Sequence, residues 1–594
     1  MVIYNHLQKN YDSWWHHEES SCDDVAAFFV HISLNVLRVW ISFHNFGAWN
    51  VHELLLCEGR VMGTMDMVGN VKVRLNNSDM KKTRFFMLFS AIAIVFGMMS
   101  CAQKSQDYQS VIPEAPVVVV KANVNSLLAK SELLQDNQVT GFAKSAINEM
   151  PENTRGILRE ILNDPANSGL DLDKPAFVVV DNIENMRGFA LFAVSDREKV
   201  KALVNAIDDS EVSLDEAADY SLIKLREDNL GALDDSKLVV AFAQGAFDAS
   251  EYMLAEDDAE WSDELEDFLA SPEELGYYMA YRDILRLAEG MEAEAFAGID
   301  IEKFKDLKLV CNVNFNPGRA VMDISFHGSD EVKRMYKDYV SDAETDLQRF
   351  LPSATMALLQ GGYKNLGTCM EETVGNDPQM ADILASLNRD LKQMGVNQEF
   401  TWSLLNSLEG GCVFAVSEID KTAALPLPQM IFVAECKDDK LFGMIKEMLQ
   451  GQSGLVSKTA ENVYLVAGMY YVGYADSKLF VMPTGIFNEC YADNSLKGLA
   501  SDVAGTPLAA ALGEEIGLAV DLQAVAQTLE ETGMARRRAE KKALSVLRKF
   551  KGVSYTVNDD CEVECSVDFV DDKTNALKQL KDLAVTAAIG EAVN

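Results

Sequence analysis

Asp235-Ser236-Lys237-Leu238-Val239-Val240 and Asp476-Ser477-Lys478-Leu479-Phe480-Val481 write one pattern twice, 241 residues apart. Each starts polar and runs into apolar β-formers. Four shared residues can coincide by chance, so the same offset has to hold elsewhere. Upstream, the strand-like run Ala190 to Val194 leads into a helix with Val200, Leu203, Val204 and Ile207 at i, i+3, i+4 and i+7, one buried face. Adding the offset gives Leu441, Met444, Ile445 and Met448, all apolar, after the strand-like run Met430 to Ala434.

With a drift of a few residues the match spreads outward. Val117 to Leu127 answers Met356 to Leu366, Tyr278 to Ile284 answers Gly517 to Leu522, and Met322 to Phe326 answers Cys565 to Phe569. The expected organisation is two tandem homologous units, 113–350 and 351–594. Short apolar strands alternate with amphipathic helices, and Asn316-Pro317-Gly318 and Asn558-Asp559-Asp560 mark hairpins late in each unit. The fold class is therefore α+β, each unit a mainly antiparallel sheet with helices packed on one face. Ser195 with Glu198 fits a capping box at the start of the first unit's helix.

The chain ahead of these units reads differently. Lys81-Lys82-Thr83-Arg84, the apolar run Phe85 to Met99, then Ser100 and Cys101 follow the order of a secretory signal. The run is shorter than the ~20 residues of a stable span. Met98-Met99-Ser100-Cys101 resembles the lipoprotein processing box, with methionine where leucine is usual, and so makes Cys101 the lipidation site. The competing reading is a plain secretory signal with an ordinary cysteine. Residues 1–79 hold six of the seven histidines and four of the six tryptophans. So sharp a shift in usage reads as a mis-assigned, disordered upstream extension, with 80–100 the signal and 101–112 a tether.

Composition limits the partners. The formal net charge is −39, a surface that repels nucleic acid and anionic lipid headgroups over a Debye length. Beyond Cys101 lie Cys311, Cys369, Cys412, Cys436, Cys490, Cys561 and Cys565, read as buried, inert thiols. His327, at a strand end, is the one histidine after residue 52, so multi-histidine metal sites are excluded within residues 101–594. A Ser-x-x-Lys match at Ser221 to Lys224 falls on a strand, where that spacing points the side chains to opposite faces. Phosphate loops, dinucleotide fingerprints and Cys-x-x-Cys pairs are missing from the sequence. No catalytic residue, cofactor or metal is expected.

Two charge clusters stand out. Glu256 to Asp267 sets eight carboxylates around Trp261 and reads as a solvated helix start. Arg536 to Lys551 brings Arg536, Arg537, Arg538, Lys541 and Lys542 together against Glu540 alone, on a helix whose apolar face is Leu544, Leu547 and Phe550. An exposed helix balanced by acidic neighbours is the plain reading. An anion-binding site is the sharper one.

The lipidated start, Val111-Ile112-Pro113-Glu114-Ala115 running into a valine strand and then Asn125-Ser126-Leu127-Leu128, and the doubled architecture together resemble a lipoprotein family of Bacteroidetes, the domain of unknown function 4836. The resemblance implies an envelope lipoprotein and brings no activity or catalytic residue with it. Surface-exported lipoproteins of that phylum tend to carry acids just after the cysteine. Ala102-Gln103-Lys104-Ser105-Gln106 stands here instead, so the periplasmic side of the outer membrane is expected. The expected role is a non-enzymatic binding or scaffolding protein. It would be held to the membrane by lipid at Cys101 and meet an envelope protein or an anionic envelope component. A carboxylate-dependent hydrolase of glycan or peptide is the alternative.

Overall fold

Strand-forming runs dominate from Val117 onward, and in the computed structural model they pair antiparallel within each of two units. The structure describes residues 107–592 apart from short internal stretches and the longer 283–303. The extension, the signal, Cys101 and Ile207 lie outside the described residues. Two compact units result. The first is 107–328 together with 571–592, and the second is 330–570.

In the first unit the strands are β1 (Val118–Ala122), β2 (Ala176–Asn182), β3 (Arg187–Ala193), β4 (Val212–Glu216), β5 (Ser221–Leu225), β6 (Asp228–Leu233), β7 (Lys237–Phe242), β8 (Leu275–Ala280), β9 (Lys308–Asn316) and β10 (Arg319–His327). Their order is β10-β9-β8-β1-β2-β3-β7-β6-β5-β4, every pair antiparallel. The second unit has β11 (Thr355–Tyr363), β12 (Leu408–Ile419), β13 (Pro428–Cys436), β14 (Val456–Ala460), β15 (Val463–Val466), β16 (Tyr470–Ala475) and β17 (Lys478–Pro483). A small hairpin follows, β18 (Tyr491–Ala492) with β19 (Ser495–Leu496), then β20 (Ile516–Asp521), β21 (Phe550–Val557) and β22 (Val563–Phe569). Its sheet runs β22-β21-β20-β11-β12-β13-β17-β16-β15-β14. Rank by rank the two orders coincide, and the two copies of the Asp-Ser-Lys-Leu pattern enter β7 and β17.

Helices cover both faces of each sheet, not the single face expected. Successive residues of a strand point to opposite faces, and β7 is buried on both. Val239 and Ala241 join Tyr108, Ile112, Phe189 and Phe268, whereas Leu238 and Val240 join Leu158, Ile161, Val200 and Leu203. In the second unit Phe480 and Met482 meet Phe350 and Phe487, and Leu479 meets Leu441, Phe442 and Met444. A strand covered on both sides loses its polar alternation, which is why Leu238 to Ala241 is apolar throughout. Each side chain of this size, fully buried, stabilises the fold by about 1.5–3 kcal/mol.

Several boundaries differ from the sequence reading. Tyr108, Val111 and Ile112, read as tether, are buried in the first unit's core. The unit boundary falls after His327 instead of at 350, because the helix Asp330–Tyr339 belongs with the second unit. The last helix, Ala576–Ala592, belongs with the first unit. It lies against the helix Val124–Ser131, β9 and β10. Lys578 pairs with Glu132, Lys581 Nζ is 2.8 Å from Asp136, and Asn575 Nδ2 donates to the Phe315 carbonyl at 2.8 Å. The helix Arg197–Asn205 is capped by Asp196, whose carboxylate accepts from Lys199 N, and not by Ser195. Ser195 Oγ instead donates to the carbonyls of Gly169 and Leu170.

Candidate functional site

The basic segment forms a turn, a helix and the start of a strand. Arg536 and Arg537 precede the helix Arg538–Leu547, and Phe550, expected on that helix, opens β21. Arg536, Arg537, Arg538, Lys541 and Lys542 are all exposed. Glu540 Oε2 accepts from both Arg536 N and Arg537 N at 2.7 Å, so this carboxylate satisfies backbone at the helix start. Those bonds, Arg537 N foremost, hold its carboxyl below the usual range. Glu530 neutralises Arg548. Among the described residues no carboxylate pairs with Arg538, Lys541 or Lys542 within 4.0 Å. Direct ion pairing in this segment thus reaches Arg548 and, at 3.8 Å, Arg537.

The other residues singled out from sequence serve local structure. Ser221 Oγ donates to Glu216 at 2.9 Å and accepts from Arg197, while Lys224 pairs with Asp215, so the two are not a nucleophile and base. His327 closes β10, its Nε2 2.8 Å from Ser325 Oγ. In the acidic cluster, Trp261 donates its indole N–H to the Ile112 carbonyl at 3.1 Å. Lys308 donates to Glu264 at 2.7 Å, and this bond above all brings the carboxyl down to about 2. The described residues include no group of three histidine, cysteine or acidic side chains arranged for a metal. The seven described cysteines form no disulfide. Burial pushes the thiols of Cys311, Cys490 and Cys561 up to about 11 and that of Cys412 to about 12. A thiol is a poor nucleophile in that form.

Sequence reasoning missed the groups buried beside the central strands. Lys121 on β1 is 0 % exposed. Its ammonium donates to the Phe268 carbonyl at 2.8 Å, the Ser271 carbonyl at 2.7 Å and Ser271 Oγ, and lies over the Phe268 ring. Three donors thus meet three oxygens at the end of the helix Asp263–Ala270, where orphan carbonyls collect. Burial pushes this lysine down to about 8, with Glu273 acting the other way. In the second unit the matching position holds Gln360, also buried, with Nε2 donating to the Glu514 carbonyl at 3.1 Å.

A glycine stands beside each, Gly276 opposite Lys121 and Gly517 opposite Gln360. A Cβ there would come within 2.7 Å of the Phe268 ring and 2.5 Å of the Ala511 carbonyl, so the crossing segment needs glycine. Two residues before each glycine, Glu274 accepts from Phe315 N at 3.0 Å and Lys130 Nζ at 2.5 Å, and Glu515 accepts from Tyr336 OH at 2.7 Å. Burial, then Glu515 and Glu564, raise the neighbouring Glu514 carboxyl. The available signal was a lysine straight after the valine run Val117 to Val120.

No helix of the described residues is long and apolar enough to cross a membrane. A family model described as "Domain of unknown function (DUF4836)" matches residues 108–482, from the first described turn to β17. No curated protein and no solved structure matches the chain.

Proposed function

Because the chain belongs to this family, we propose that it is a lipid-anchored cell-envelope protein, tethered at Cys101, that binds or scaffolds other envelope components without catalysing a reaction. The observation that carries this is the leader: three cations, a short apolar run and Ser100-Cys101, with the folded core beginning at Tyr108. Six residues between that cysteine and the core reach at most ~20 Å. One acyl chain alone holds a protein marginally, and two or more hold it stably.

The two units are proposed to be a tandem duplication. The shared strand order and the offset near 241 residues support it. So do Lys121 and Gln360, two polar residues answering the same need at the same rank of the sheet. The periplasmic side of the outer membrane is the proposed location, supported by Ala102 to Gln106 carrying no acid.

Intact-mass and N-terminal peptide analysis of the protein purified from native envelopes tests this. The expected first residue is Cys101, bearing diacylglyceryl and acyl mass, with no peptide from before Met80. An unmodified Cys101 or a mature chain that keeps residues 1–79 would overturn it.

A further inference from the structure

The cations of the helix Arg538–Leu547 sit where helix electrostatics oppose them. A helix N-terminus carries the positive end of the backbone dipole and favours acids. Three other helices follow the rule with Asp136, Asp196 and Asp521 at their N-caps. Here Arg537 takes the N-cap, between Arg536 and Arg538, and Glu540 is the one acid of the first turn. Glu540 satisfies the backbone N–H groups of Arg536 and Arg537 but leaves the cations in place, and sites that break a local rule are where function or strain is expected. Arg538, Lys541, Lys542 and Ser545 follow i, i+3, i+4 and i+7, so the cations form one stripe along the helix. Val546, 40 % exposed, is one turn beyond Lys542. Val570, 54 % exposed, donates its N–H to the Lys549 carbonyl just past the end of this helix. The first unit's segment at the same rank, between β8 and β9, instead carries Glu289, Glu292 and Glu294 in sequence.

We propose that this stripe, with Val546 and Val570, is a docking face for the phosphate headgroups of an anionic membrane surface. The inference rests on the envelope reading above and names the surface met. Cations flanked by exposed aliphatic side chains suit the boundary between headgroups and acyl chains. The Debye length at physiological salt is about 8 Å. Beyond it the −39 charge of the chain is screened, and the local stripe governs contact. Cys101 ties down the first unit, and the stripe gives the second unit its own attachment.

The test uses the chain from residue 101 carrying Cys101→Ala, so that lipid contributes nothing, with vesicles of phosphatidylglycerol and phosphatidylcholine or of phosphatidylcholine alone. Each cation near an anionic leaflet is worth about five-fold in affinity. Arg538→Glu/Lys541→Glu/Lys542→Glu is therefore expected to reduce binding to the anionic vesicles by at least about a hundred-fold. Binding should also fall steeply between about 0.05 M and 0.5 M salt and be weak on phosphatidylcholine. The →Gln triple variant, which removes charge and adds none, should lose binding in the same direction. Unchanged binding by the →Gln variant, equal binding to both vesicle types, or displacement by millimolar inorganic phosphate would each overturn the proposal. Acyl labelling of the natural chain separates the two readings: an unlabelled chain that still binds through the stripe sinks the anchor and spares the docking face.

Discussion

Replacing Lys121 by alanine is expected to destabilise the first unit by about 3–5 kcal/mol, the range for breaking a buried charged contact. The substitution takes the ammonium away from the Ser271 carbonyl and Oγ in a site that is 0 % exposed, and removes one donor from the Phe268 carbonyl, which Ser271 N and Oγ still reach. It also empties the space of a four-carbon stem. Lys121→Gln, which copies the second unit's solution at Gln360, should cost about 1–2 kcal/mol, since an amide restores part of the hydrogen bonding. Residues 101–594 contain two tryptophans, Trp261 in the first unit and Trp402 in the second. Urea unfolding of single-tryptophan variants therefore reads each unit separately. The loss should appear at Trp261 and leave Trp402 in place. The pH dependence follows from the same burial. The folded lysine titrates near 8, below its ordinary 10.5, so between these values the unfolded chain holds a proton that the folded chain has released. Stability relative to Lys121→Gln should rise across that window by up to about 1.4 kcal/mol per pH unit and be flat below it. A difference that falls with pH there would refute the assignment.

Ending the chain at Val570 is expected to cost the first unit at least about 3 kcal/mol, although the cut lies over 240 residues beyond His327. The truncation removes the buried Ala576, the Asn575 bond to the Phe315 carbonyl, and the pairs Lys578–Glu132 and Lys581–Asp136. The exposed pair matters least, and the uncovering of the helix Val124–Ser131 matters most. Trp261 should report the loss at lower urea than in the full chain, with Trp402 shifted little. Were Trp402 alone to move, the last helix would belong to the second unit.

The strands were legible from residues because apolar runs bounded by turn signals specify them, and the two Asp-Ser-Lys-Leu copies lead into the same rank of the two sheets. Cover on both faces was not, since Leu238 to Ala241 gives no alternation from which to read a solvent side. Helix ownership is also hidden: the stripe of a helix says that it packs, never on what, and chain order alone places Asp330–Tyr339 and Ala576–Ala592 in the wrong units. At Ser195 and Asp196 two good caps stand side by side, and the hydroxyl is taken by the Gly169 and Leu170 carbonyls. Phe550 fitted the helical spacing of Leu544 and Leu547, but Arg548 ends the helix first. The basic stripe was found because charge that departs from the chain's average is visible in sequence. Lys121 was not, because one lysine after a valine run looks like the end of a strand.

Metabolic labelling with an alkyne palmitate analogue, followed by isolation of this chain, tests the envelope reading most directly. The account expects label on the wild-type chain, its loss in Cys101→Ala, and release of that variant from the membrane fraction at high salt. An unlabelled wild-type chain, or a Cys101→Ala chain that keeps its label, would contradict it.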